Sequence, residues 1–144
     1  TVVDATRDLL VKVLPYHPFL VKPNNHELGD IFGVKLSTRE EVVPYGRKLQ
    51  EMGAQNVLIS MAGEGAVLIA ADGQSMGAPA PKGTLVNGVG AGDSMVAGFL
   101  TGWMEKKDYV HAFHMGIAAG SASAFSENLA TREEVLQVLQ QVEQ

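Results

Sequence analysis

The sequence predicts an α/β fold, a mostly parallel sheet covered on both faces by helices and followed by a β-hairpin and a helical tail. Three observations carry that prediction. Short apolar runs at residues 19–23 and 56–61 alternate with stretches of helical periodicity, the pattern of parallel strands joined by crossover helices. Two further runs, 66–71 and 74–80, flank Asp72-Gly73, a dipeptide suited to a tight hairpin. From Gly90 onward the pattern is helical, in pieces of roughly 91–106, 109–126 and 132–143.

Taken in order, Val2 and Val3 running into Asp4 read as the tail of a strand. With no initiator Met before them, the expectation is a piece cut from something longer. Residues 5–14 place Leu9, Leu10, Val13 and Leu14 at helical spacing, and Pro15 ends the pattern because it cannot continue the hydrogen-bond ladder. FLVKP, residues 19–23, reads as a buried strand closed by Pro23. NNHELGDIFG then reads as a helix stopped by Gly33, and Thr38 to Met52 as an amphipathic helix stopped by Gly53. NVLISM, residues 56–61, is a continuous apolar strand of the kind buried on both faces, and Gly63 and Gly65 mark the turn after it. In the tail, Met95, Val96, Phe99, Leu100, Trp103 and Met104 form one apolar stripe expected in the core, with Gly98 and Gly102 opposite. An interior helical Gly costs about 1 kcal/mol relative to Ala, and close approach of another backbone is a reason for accepting it.

No repeat and no linker divides the chain, and 144 residues suit one domain with its own core. The hydrophobic fraction of 46% and charged fraction of 19% are those of a globular protein. A net charge of -5 argues against an electrostatic grip on nucleic acid or an anionic membrane, so the expected partner is a small molecule. The chain has no Cys, which removes disulfides, thiolate metal sites and cysteine nucleophiles and fits a cytoplasmic protein. No apolar run reaches bilayer length, and TVVDATRD lacks the basic and apolar regions of a signal peptide.

The strongest chemical feature is NGVGAGDSMVAGF, residues 87–99, in which glycines at every second position lead through Asp93 into an apolar helix. Gly-rich backbone entering a helix start aims unpaired N–H groups and the positive end of the macrodipole at one point, an anion hole for a transferring phosphoryl group. A carboxylate at its rim can accept a proton from an attacking hydroxyl, an effect worth about 10²- to 10⁴-fold. Asp93 as a simple helix cap is the competing reading. A Walker A loop fails here because Asp93, not Lys, follows Gly92, and a dinucleotide fingerprint fails because it needs Gly at 93.

In VKPNNHELG, residues 21–29, Asn24 and Glu27 have the spacing of a capping box, as do Thr38 with Glu41 and Thr131 with Glu134. The first differs in standing at the carboxyl end of a buried strand, where α/β sheets bind ligands; there Glu27 can hold a hydrated Mg²⁺ and Asn24 a phosphate or ribose oxygen. Both readings stay open on spacing alone. SMAGEGA, residues 60–66, is either a plain turn or a nucleotide turn whose amides and Ser60 hydroxyl bind phosphates. His17, His26, His111 and His114 form no metal set, and none is read as more than a surface or packing residue.

KPN with NxxE, an S-x-x-G-x-G-like turn and GAGD opening a helix, in that order, resemble the PfkB carbohydrate kinases from about Val2 to the C-terminus. The resemblance implies a ribokinase-like three-layer α/β/α sandwich, with residues 1–144 as its C-terminal nucleotide-binding and catalytic portion and the N-terminal half and lid absent. It implies Asp93 as catalytic base and the backbone of Gly90, Ala91 and Gly92 as anion hole. Asn24, Ser60, Met61, Ala62, Gly63, Glu64, Gly65 and Gly92 would contact ATP, and Glu27 would help organise Mg²⁺. The Ala-rich helix around Gly116 to Gly120 would pass near the adenine.

VGAGDSMVAGF resembles most the 1-phosphofructokinases of the family, which phosphorylate fructose 1-phosphate to the 1,6-bisphosphate, with tagatose-6-phosphate kinases as near relatives. The implied partners are a sugar phosphate and ATP, with no nucleic acid or membrane, and a homodimer in the full-length parent. Two departures matter. Asn87 stands where ribokinases place an Asp of a monovalent-cation site, so K⁺ activation is not carried over, and Ala62 stands where many members have Gly. The alternatives from other classes are a non-catalytic nucleotide-binding module and a nicotinamide oxidoreductase, the latter disfavoured by Asp93.

Overall fold

The alternation of apolar runs and helical stretches folds, in a computed structural model, as elements described over residues 2–3, 7–61, 64–80, 91–124 and 132–143. They fall into two units, Thr1–Pro79 and Ala80–Gln144, each treated by itself.

The first unit holds β1 (Val2–Val3), α1 (Arg7–Val13), a 3-10 turn (Leu14–Tyr16), β2 (Leu20–Val21), α2 (Asn25–Phe32), α3 (Arg39–Glu51), β3 (Asn56–Ser60), β4 (Ala66–Ile69) and β5 (Ser75–Ala78). The five strands form one sheet in sequence order. β1, β2 and β3 are parallel, whereas β3, β4 and β5 are antiparallel, so a parallel part is completed by the hairpin expected at Asp72-Gly73. Gly73 there has φ +94, and its amide donates to the Ala70 carbonyl at 3.1 Å.

The pleat explains why the strands read as continuous apolar runs. Val21, Val57, Ile59, Val67 and Ile69 pack with Leu10, Leu14, Leu28, Val42 and Leu49 of the helices. Their alternates Leu20, Leu58 and Leu68 are equally excluded from solvent. Each such side chain contributes roughly 1.5–3 kcal/mol through burial. Asn56 is buried among them because its side chain is satisfied, donating to the Phe19 carbonyl at 2.9 Å and accepting from the Ala71 amide at 2.8 Å. Gly53, read as a helix stop, has φ +136 and packs so tightly that a Cβ would fall 1.9 Å from the Leu14 carbonyl oxygen.

The second unit holds α4 (Ala91–Lys106), α5 (Tyr109–Ala124) and α6 (Arg132–Glu143). Gly98 and Gly102 lie on the buried seam between α4 and α5. A Cβ on Gly98 would sit 2.6 Å from both the Ala119 Cβ and the Met115 carbonyl oxygen, and one on Gly102 would sit 2.9 Å from the Ala112 Cα. The close approach expected of these glycines is therefore present. The apolar stripe, however, is not a uniform core face: Phe99 is fully buried, its Cβ against Gly116, while Met104 is 70% exposed. The small residues let the two helices touch backbone to backbone, so the seam runs along the glycine side and the end of the stripe is left to solvent.

Candidate nucleotide and phosphoryl-transfer site

Asn24 and Glu27 form a complete capping box at the start of α2. The Glu27 amide donates to Asn24 Oδ1 at 2.7 Å, and the Asn24 amide donates to Glu27 Oε1 at 2.9 Å. Thr38 and Glu41 do the same at the start of α3, at 3.2 and 2.9 Å. There the amides of Ser37 and Thr38 on its carboxylate hold Glu41 below the usual range of a glutamate. The capping reading thus holds for both boxes; Thr131 of the third lies outside the described residues.

What separates the first box is its neighbour. Asn24 bridges Ser60 in parallel β geometry, and the Ser60 amide donates to the Pro23 carbonyl at 3.1 Å. The carboxyl ends of β2 and β3 are thereby joined, bringing Asn24, Ser60 and the helix turn that carries Glu27 to one place, the end of a parallel sheet where α/β proteins take ligands.

Past Ser60 the chain closes on itself. The Met61 amide donates to the Gly65 carbonyl at 2.9 Å and the Glu64 amide to the Met61 carbonyl at 3.0 Å, with Gly65 at φ +94. The expectation that this turn offers its amides to phosphate is thereby narrowed. Those of Ser60, Met61 and Glu64 are spent inside the protein, whereas the Ser60 hydroxyl and the Gly65 amide have no partner among the described residues. Ala62 and Gly63 lie outside the described residues.

In the second unit, helix α4 opens at Ala91, so Asp93 lies inside its first turn, beyond the flanking position that an N-cap occupies. The amides of a first helical turn, here those of Ala91, Gly92 and Asp93, have no partner within the helix and stand at the positive end of its macrodipole. Gly90 lies outside the described residues.

Two features escaped the sequence reading. Lys22 of the KPN motif is only 7% exposed, a buried cation beside the Asn24–Ser60 bridge; its place directly after an apolar run was the available signal. His111, read as no more than a surface or packing residue, stands 3.3 Å from Glu105 across the turn between α4 and α5. Among the described residues no third ligand joins them, and no group of His, Asp and Glu is arranged to hold a metal ion. No helix among the described residues is long and apolar enough to cross a membrane.

The geometry of strand ends and helix entrance agrees with comparison to known proteins. Residues 2–136 match the pfkB family carbohydrate kinases. The chain belongs to that family. Among curated relatives, the 1-phosphofructokinase of Bacillus subtilis is 50% identical over 141 residues, covering 98% of this chain and 46% of the relative. The D-tagatose-1-phosphate kinase of Klebsiella oxytoca is 32% identical over 143 residues, covering 99% and 46% respectively. Among solved structures, a Staphylococcus aureus protein described as a phosphofructokinase superposes with a TM-score of 0.92 at 41% identity, over 97% of this chain and 45% of its own. The PfkB resemblance and the ribokinase-like α/β fold are borne out, and the chain spans about half the length of the relatives it matches.

Proposed function

We propose that this chain is the nucleotide-side, base-bearing half of a cytoplasmic, ATP-dependent sugar-phosphate kinase. It acts on fructose 1-phosphate, giving fructose 1,6-bisphosphate, and turnover belongs to the full-length enzyme, working as a homodimer. The observation that carries this reading is the GAGD sequence at the opening of α4, with Asp93 in the first helical turn. The substrate rests on the 50% identity with a 1-phosphofructokinase.

In the reaction the Asp93 carboxylate takes the proton of the sugar's free primary hydroxyl. That oxygen forms the new bond to the γ-phosphorus as the bond to the β-phosphate oxygen breaks, and ADP leaves. The amides of Gly90, Ala91 and Gly92 receive the charge that spreads over the phosphoryl oxygens as it develops. Asn24, the turn from Ser60 to Gly65 and Gly92 bind ATP, with the Ser60 hydroxyl and the Gly65 amide as donors from that turn.

Glu27 suits Mg²⁺. One of its oxygens is committed to the Asn24 amide, and the other has no partner among the described residues. A single carboxylate oxygen fits an ion that keeps most of its waters and is bound chiefly through nucleotide phosphates. When bound, Mg²⁺ would neutralise charge on the β- and γ-phosphate oxygens.

A second substrate reading is kept by the 32% identity with a D-tagatose-1-phosphate kinase, whose named substrate carries its phosphate at carbon 1, not carbon 6. Steady-state turnover of the full-length enzyme with ATP and Mg²⁺ on fructose 1-phosphate, D-tagatose 1-phosphate and D-tagatose 6-phosphate separates the cases. The highest kcat/KM is expected on fructose 1-phosphate, and absence of phosphorylation of all three would overturn the kinase reading.

A further inference from the structure

Glu64 places an exposed carboxylate on the turn after β3, and the architecture gives it no structural task. Its amide is used, donating to the Met61 carbonyl at 3.0 Å, but its side chain has no hydrogen bond or ion pair among the described residues. The described ends of the turn are nonetheless anchored. Its foot, Ser60, is bridged to Asn24, and its closure is fixed by the Met61 amide on the Gly65 carbonyl. The uncompensated charge is therefore held close to the place where the reading above puts the nucleotide's phosphates.

A negative charge there opposes the polyphosphate in proportion to the charge the nucleotide brings. Metal-free ATP carries about four negative charges at neutral pH and its Mg²⁺ complex about two, so the same carboxylate penalises the free nucleotide roughly twice as strongly. We propose that Glu64 is a specificity residue that selects the metal-complexed nucleotide over the metal-free one. This inference rests on the nucleotide-turn reading and adds to it a discrimination by charge. Glu27 would hold the cation, and Glu64 would discourage entry without it.

The test is calorimetric titration of the full-length enzyme with ATP, once in excess Mg²⁺ and once in chelator, comparing wild type with Glu64→Gln and Glu64→Lys. Glu51→Gln serves as control, because Glu51 is an exposed carboxylate that ends α3 and stands before β3, at the opposite end of the strand from Glu64. At phosphate distances of about 7 Å with screening, Glu64→Gln is expected to tighten metal-free ATP about fivefold and the Mg²⁺ complex about twofold. Glu64→Lys should go further in the same direction, Glu51→Gln should change neither, and the effect should fade as salt rises. Equal tightening of both forms, no change in either, or weakened binding of the Mg²⁺ complex overturns the inference while leaving the nucleotide reading intact. Absence of binding of either form to wild type overturns that reading, and this inference with it.

Discussion

Asn24 and Glu27 hold each other in a closed pair, the side chain of each accepting from the backbone amide of the other at 2.7 and 2.9 Å. The pair orders the first turn of α2 and also fixes where the Glu27 carboxylate sits. Asn24→Ala should cost about 1 kcal/mol of stability through the lost cap. Beyond that loss, it should raise the Mg²⁺ concentration needed for half-maximal activity, because the Glu27 amide loses its acceptor and the first turn that positions the Glu27 carboxylate loosens, even though the backbone amide of residue 24 can still donate to that carboxylate. Asn24→Asp or Asn24→Ser, which can still accept from the Glu27 amide, should recover most of the stability in a urea titration. If Mg²⁺ dependence is the same in all of these variants, the pair is a cap and nothing more.

Thr38 and Glu41 provide the comparison without a ligand. The Glu41 carboxylate is held below its ordinary value by the amides of Ser37 and Thr38 and by the Thr38 hydroxyl. A carboxylate whose folded value is depressed adds stability above its unfolded value, about 4.3, and loses it as pH falls through the lower folded value. Wild type should therefore lose more thermal stability than Glu41→Gln between about pH 5 and the acid limit of folding. Parallel melting curves for the two proteins across that range would show that the bonds to Glu41 are too weak to matter.

Gly98 gives a prediction opposite in sign to helix propensity. In an open helix Gly→Ala gains about 1 kcal/mol. Here the added methyl would meet Ala119 and the Met115 carbonyl at 2.6 Å, and overpacking of this kind costs about 1–3 kcal/mol. Gly98→Ala should lower the denaturation midpoint, and Gly102→Ala should do so too, its Cβ falling 2.9 Å from Ala112.

What the sequence made legible was local. The apolar run at 56–61 became β3 with residues 56–59 fully buried, Gly33 ended α2 at φ +69, and Asp72-Gly73 made the hairpin. The capping boxes were readable because both partners lie within one turn. Long-range placement was not readable. The bridge between Asn24 and Ser60 is a matter of parallel register between strands with two helices in between, which no local periodicity encodes. The Glu105–His111 pair depends on how α4 turns back into α5. The stripe on α4 misled because apolarity marks a face without saying which side a neighbouring helix can approach most closely, and that was decided by the glycines. In the turn after β3, counting amides as available donors overlooked that a turn closes by spending them on its own carbonyls.

The role of Asp93 is tested most directly by kcat of the full-length enzyme with ATP, Mg²⁺ and fructose 1-phosphate, wild type against Asp93→Ala. The expected result is a fall in kcat of about 10²- to 10⁴-fold, with ATP affinity changed by no more than a few fold. A variant that turns over at the wild-type rate would contradict the assignment of Asp93 as the base.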